Sequence, residues 1–132
     1  MSFDSEVSKA INQMEKDATR AIQNRTARTM RKIVFFNGTR AFDTGLLVNS
    51  WEASVGQPFF NDEGNGAGRS RQGPESQKRI DGIQKKIKIG EDVFFTNSIH
   101  YANINESRTG FLASGVRSGG GVIKNIDGEN AK

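Results

Sequence analysis

The sequence contains no cysteine. That removes disulfides, zinc–thiolate sites and cysteine nucleophiles, and it agrees with a reducing compartment. Histidine occurs once, as His100, too few ligands for a metal site without clustered carboxylates around it. Only 34% of residues are hydrophobic, and the longest aliphatic or aromatic run is Ile33-Val34-Phe35-Phe36. A run that short does not span a bilayer, so no membrane contact is expected. The stretch Met1–Glu6 has neither the basic nor the apolar region of a secretory signal, and none is expected.

What is there suits one domain with a modest core. The chain has 132 residues, 15 of them glycine. Such a lean composition leads us to expect partner subunits that complete the burial. It is not a disordered composition, because its Phe, Ile and Val residues cluster in periodic runs. A net charge of +4 and a pI near 9.6 permit a nucleic-acid contact without requiring one.

Residues from about Asp4 to Phe36 read as one long helix. Ser2 is the expected N-cap, and Asp4 and Glu6 sit well in the first turn. Val7, Ala10, Ile11, Met14, Ala18, Ala21, Ile22, Met30, Ile33 and Val34 recur at spacings of three and four and read as one stripe, thin between Ile22 and Met30. Asn37-Gly38 is the expected stop, with Gly38 as a left-handed C-cap. Such a helix is about 48 Å long at about 1.5 Å per residue, longer than a compact domain of about 36 Å diameter. It must therefore kink or project, and Val7, Ile11 and Met14 become candidate subunit-interface residues. The opposite face carries Lys9, Lys16, Arg20, Arg25, Arg28 and Arg31, with Lys32 beside them. It is either a solvated face or an electrostatic contact to an acidic subunit or DNA, with Arg25 and Arg28 as its candidate interface residues.

The chain is organised around Asp43-Thr44-Gly45-Leu46-Leu47-Val48-Asn49-Ser50-Trp51-Glu52-Ala53-Ser54-Val55-Gly56. Asp43 or Thr44 is a good N-cap for a short helical turn through Leu46, Leu47 and Val48. From Ser50 the pattern alternates, with Trp51, Ala53 and Val55 on one side, as in a half-buried strand that Gly56-Gln57-Pro58 ends. Trp51 reads as core, with an interface role as the alternative. Phe59 to Gly73 is a Gly-, Asn- and Arg-rich loop. Its Gly64–Gly68 run lacks the Gly-Lys-Ser/Thr ending of a phosphate-binding loop. Pro74–Gln84 is a short helix with Pro at its first position. Lys85–Ile89 alternates like a short strand, and Val93–Asn97 is the better second strand, pairing with one or the other of its predecessors. Ser98 caps an expected helix from Ile99 to Glu106.

Two of these stretches resemble a known family. Asp43-Thr44-Gly45-Leu46-Leu47, followed by Ser50-Trp51, is similar to the Asp-Thr-Gly-x-Leu-x-x-Ser signature of the neck, or tail-completion, proteins at the head–tail junction of long-tailed bacteriophages. Val93–Asn97, followed by Tyr101-Ala102 and Glu106, resembles that family's second motif: a strand ending in Asn, then Tyr-Ala, then Glu. The motifs lie in the family's order, after a long N-terminal helix. The chain departs from the family in having Arg40-Ala41-Phe42 where a Pro often precedes the Asp, and Ser107 where a Gly usually follows the Glu. Glu106 orients a loop, pairs with an Arg of a neighbouring subunit, or is simply solvated.

No active site is legible. Ser98 and His100 are two residues apart and would point to different helix faces. Asp62-Glu63 and Glu91-Asp92 are acidic pairs in turns. No enzyme activity, cofactor or metal is expected. The expected fold is α+β, a long N-terminal helix packed on a small, mostly antiparallel sheet with two shorter helices. Residues 1–113 form the single domain and 114–132 a flexible C-terminal arm that orders on a partner. The resemblance implies a structural virion protein in a homo-oligomeric ring, hexameric or else dodecameric. Such a ring lies between the head-completion or portal-side protein and the tail terminator or tail-tube protein, with DNA passing through its channel. It is made in the host cytoplasm. The alternative is a small basic nucleic-acid-binding protein.

Overall fold

The computed structural model describes residues 2–40, 45–59, 69–97, 99 and 108–119. In chain order the elements are α1 (Phe3–Arg40), β1 (Glu52–Val55), α2 (Pro74–Gln84), β2 (Val93–Thr96) and α3 (Phe111–Ser118). The fold is α+β, with a long N-terminal helix packed on an antiparallel sheet of two strands and two shorter helices.

Helix α1 is 38 residues long, about 57 Å at about 1.5 Å per residue. Its start is as expected: Ser2 Oγ accepts from the Ser5 N–H at 3.2 Å. Its end is not. The helix runs through Asn37-Gly38 to Arg40, and both residues are buried. Tertiary contact overrides the local stop signal here. Asn37 Oδ1 accepts from the Trp51 indole N–H, and a Cβ on Gly38 would collide with the Arg71 carbonyl. Glycine is there to let a loop backbone approach, not to end the helix.

The single apolar stripe also needs correcting, because it is two faces. Ala27, Met30, Ile33 and Val34 are buried. Val7, Ile11 and Met14 are 38%, 50% and 70% exposed. At about 100° per residue the two sets lie roughly 150° apart around the axis. The thin patch between Ile22 and Met30 is where the apolar face changes sides. The helix is continuous from Phe3 to Arg40, and residues 2–18 are all exposed, so its first half projects from the described core.

Strands β1 and β2 pair antiparallel, Glu52 with Thr96 and Val55 with Val93. The alternative strand at Lys85–Ile89 does not form. Gln23 Nε2 of α1 donates to the Lys85 and Ile87 carbonyls at 3.2 and 2.9 Å, which fixes that stretch as a turn beneath α1. Helix α2 begins at Pro74 as expected.

The second short helix among the described residues is α3; the expected helix Ile99–Glu106 lies, apart from Ile99, outside the described residues. Helix α3 runs across residue 113, where the expected domain gives way to the expected arm. Phe111 is buried, and Gly115 brings the α3 backbone against Ile33 of α1, where a Cβ would lie 2.5 Å from the Ile33 Cα. Arg40 holds the other end, donating to Ser114 Oγ at 2.6 Å and to the Thr109 carbonyl at 3.4 Å. The rest of the expected arm, 120–132, lies outside the described residues.

The core joins Ala27, Met30, Ile33 and Val34 of α1 to Leu47, Val48 and Trp51, to Ile80 of α2, and to Ile99 and Phe111. It belongs to the C-terminal half of α1 alone.

Candidate assembly surfaces

The stretch singled out in the sequence is the hub of this core. Gly45 has φ +86°, a left-handed conformation that suits glycine, and a Cβ there would collide with the Arg69 backbone. Residues 46–49 then make one hydrogen-bonded turn, with the Asn49 N–H donating to the Gly45 carbonyl at 3.2 Å. The Ser50 hydroxyl donates back to the Leu46 carbonyl. Asp43 and Thr44, the expected caps, lie outside the described residues.

Trp51 sits at the end of this turn, 4% exposed. Its ring stacks on Phe95 of β2 at 4.6 Å and meets Phe111 of α3 edge-on at 6.1 Å. Trp51 is therefore core. The two motifs also meet directly: Asn97 Nδ2 donates to the Leu47 carbonyl at 2.8 Å. Asn97 Oδ1 in turn accepts from the Ile99 N–H at 3.2 Å. Tyr101, Ala102 and Glu106, the remainder of the second motif, lie outside the described residues, as does His100.

Three residues that the sequence did not single out complete the hub. Asn49 is fully buried. Its Nδ2 donates to the Gly45 and Ser70 carbonyls at 2.8 and 3.0 Å, and its Oδ1 accepts from the Glu75 N–H at 3.3 Å. It thus satisfies a free amide of the first turn of α2, which Gly73 has no side chain to cap. Ser76 Oγ accepts from the Trp51 N–H at 3.0 Å and donates to the Val48 carbonyl at 2.8 Å. Arg79 Nη1 donates to the Asn49 and Trp51 carbonyls at 3.0 and 2.6 Å, with Glu52 3.6 Å from its Nε. Ser76 carried a legible signal, since it lies four residues before Ile80 on the apolar edge of α2. Arg79 carried none.

This arrangement is structural. Its polar groups bind backbone, and among the described residues no group of three or more His, Cys, Asp or Glu side chains is placed to hold a metal. Among the same residues no helix is long and apolar enough to cross a membrane.

The surface features lie elsewhere. The first is the half of α1 that precedes Gln23, about 30 Å of helix at about 1.5 Å per residue. It presents Phe3, Val7, Ile11, Met14 and Ile22 as an exposed apolar row. The second is the basic stretch that follows. Residues 18–36 contain Arg20, Arg25, Arg28, Arg31 and Lys32 and no acid. Arg31 is occupied, with Asp81 at 2.6 Å and Gln84 Oε1 at 2.9 Å. Arg25 and Arg28 are both exposed, and Arg25 also borders a groove beside Met30. The third is a largely apolar groove of about 270 Å³ between α1 and β2, lined by Met30, Ile33, Val93 and Phe95 together with Arg25, Thr26 and Thr29.

No protein-family model matches this chain, and no curated protein or solved structure matches it.

Proposed function

We propose that this chain is a structural subunit of a bacteriophage neck, one copy in a ring that joins the portal or head-completion complex to the tail tube. The observation that carries the reading is the exposed apolar row on the first half of α1. A helix of about twenty residues gains little stability alone in water and needs tertiary or quaternary packing of its apolar face. Phe3, Val7, Ile11 and Met14 are exposed and available for such packing. The resemblance of Asp43–Trp51 and Val93–Glu106 to the neck family supplies the kind of assembly. The contact between Asn97 and Leu47 supports reading those stretches as one unit.

On this reading α1 of one subunit lies against the body of the next. Head-to-tail contacts of that kind close into a ring when the rotation divides a full turn, and six copies match the symmetry of a tail, with twelve as the lesser option. The neighbouring layers are the head-completion or portal-side protein and the tail terminator or tail-tube protein. The role is one of assembly in the virion, without catalysis or cofactor. Deletion of this gene from a phage that carries it tests the proposal. Separate filled heads and tails are the expected product; normally joined particles would overturn it.

A second reading rests on the acid-free stretch 18–36, which supports a small nucleic-acid-binding protein. A phosphate-binding mode weakens steeply with salt. A DNA mobility shift that collapses between about 50 and 200 mM salt would favour that reading.

A further inference from the structure

Helix α3 runs antiparallel to α1. Its start is held at Arg40 through Ser114 and Thr109, and its end is held at Thr29, whose hydroxyl donates to the Gly119 carbonyl at 3.2 Å. The chain therefore leaves α3 heading towards the N-terminal end of α1. Thr29 is also a wall of the groove between α1 and β2. The last described residue and the groove thus share a side chain.

The groove is lined mainly by carbon: Met30 and Ile33 from α1, Val93 and Phe95 from β2. Residues 120–132 follow Gly119, and their sequence opens Gly120-Gly121-Val122-Ile123-Lys124-Asn125-Ile126. At about 3.3 Å per residue, Val122 and Ile123 come within about 10–13 Å of Gly119, and Ile126 within about 23 Å. The apolar residues of this segment are therefore within reach of the groove, and two glycines precede them in the sequence.

We propose that the groove between α1 and β2 is the docking site of the chain's own residues 120–132, with Val122, Ile123 and Ile126 as the apolar anchors. The size of the groove argues for a tethered occupant. About 270 Å³ takes only a few aliphatic side chains, whereas separate proteins associate stably through roughly twenty or more residues a side. A short tether supplies an effective concentration in the millimolar range, which makes so small a contact sufficient. The proposal does not depend on the ring reading.

The absence of native cysteine makes the test clean. Full-length Thr26→Cys/Ile123→Cys is oxidised at low micromolar concentration beside the control Arg28→Cys/Ile123→Cys, which places its first thiol next to Thr29 but outside the groove, within the same reach of the tether. Both are checked for folding by Trp51 fluorescence. The expected result is an intramolecular crosslink, forming at a rate independent of protein concentration and about tenfold or more faster than in the control. Equal rates in the two pairs would overturn the proposal. So would crosslinked dimer in place of monomer, which would assign the groove to another copy's segment. Full-length Ile123→Asp provides a second readout. It is expected to raise the fluorescence of a groove-binding apolar dye severalfold, and an unchanged signal counts against the docking.

Discussion

The indole N–H of Trp51 donates to Asn37 Oδ1 at 2.8 Å, joining the hub stretch to the last turn of α1 inside the core. Asn37 is fully buried, and its Nδ2 has no partner. The side chain is retained at the cost of one unsatisfied donor because it satisfies another. Asn37→Ala is expected to lower stability by about 1–3 kcal/mol, since it orphans the Trp51 N–H. Urea denaturation followed by the fluorescence of Trp51, the only tryptophan, measures this directly. An unchanged midpoint would mean that the indole finds another acceptor.

Arg79 and Glu52 form a half-buried pair at 3.6 Å, but the Arg79 bonds to the Asn49 and Trp51 carbonyls do not involve Glu52. Arg79→Ala is therefore expected to cost about 1.5–3 kcal/mol, and Glu52→Ala about 1 kcal/mol or less. Thermal denaturation of the two variants checks the order. Equal losses would show that the ion pair, not the carbonyl contacts, holds α2 on the hub.

Two helical glycines should respond oppositely to alanine. Gly82 in α2 has nothing near a built Cβ, so Gly82→Ala is expected to stabilise by about 0.5–1 kcal/mol. Gly38 faces the Arg71 carbonyl, so Gly38→Ala is expected to destabilise by about 1–3 kcal/mol despite the gain in helix propensity. If both variants stabilise, the loop does not approach α1 as described.

The isolated chain should show two stabilities within one helix. Residues 6–18 are all exposed among the described residues, and their amides should exchange with solvent fast; the stretch 27–38, with Ala27, Met30, Ile33, Val34, Asn37 and Gly38 buried, should exchange slowly. Hydrogen exchange read by mass spectrometry distinguishes the halves. Uniform protection along α1 would indicate that the first half is already covered in the free protein.

Much of this was legible in the sequence where a local rule and the tertiary structure agreed. Ser2 as N-cap, Pro74 as the first residue of α2, and Val93–Thr96 as a strand each follow from the residues themselves. The errors arose where a distant contact overrode a local signal. Gly38 reads as a stop, yet its missing Cβ serves the Arg71 backbone. Lys85–Ile89 alternates like a strand, yet Gln23 takes its carbonyls. Helix α3 was hidden by Gly115, a poor helix former that is needed where α3 crosses Ile33. The spacing of apolar residues along α1 was read correctly, but spacing alone did not reveal that the apolar face changes sides after Ile22.

The central claim is that the apolar row on the first half of α1 is a subunit contact in a phage neck. It is tested most directly on particles. A phage with this gene deleted is complemented with the wild-type chain, with Ile11→Asp or with Met14→Asp, and joined particles are counted by electron microscopy. Both residues are exposed in the single chain, so either variant should fold, which Trp51 fluorescence verifies. Each places a charge in a contact that assembly would desolvate. The account expects wild type to restore joined particles and both variants to leave separate heads and tails. Full restoration by folded Ile11→Asp and Met14→Asp would contradict it.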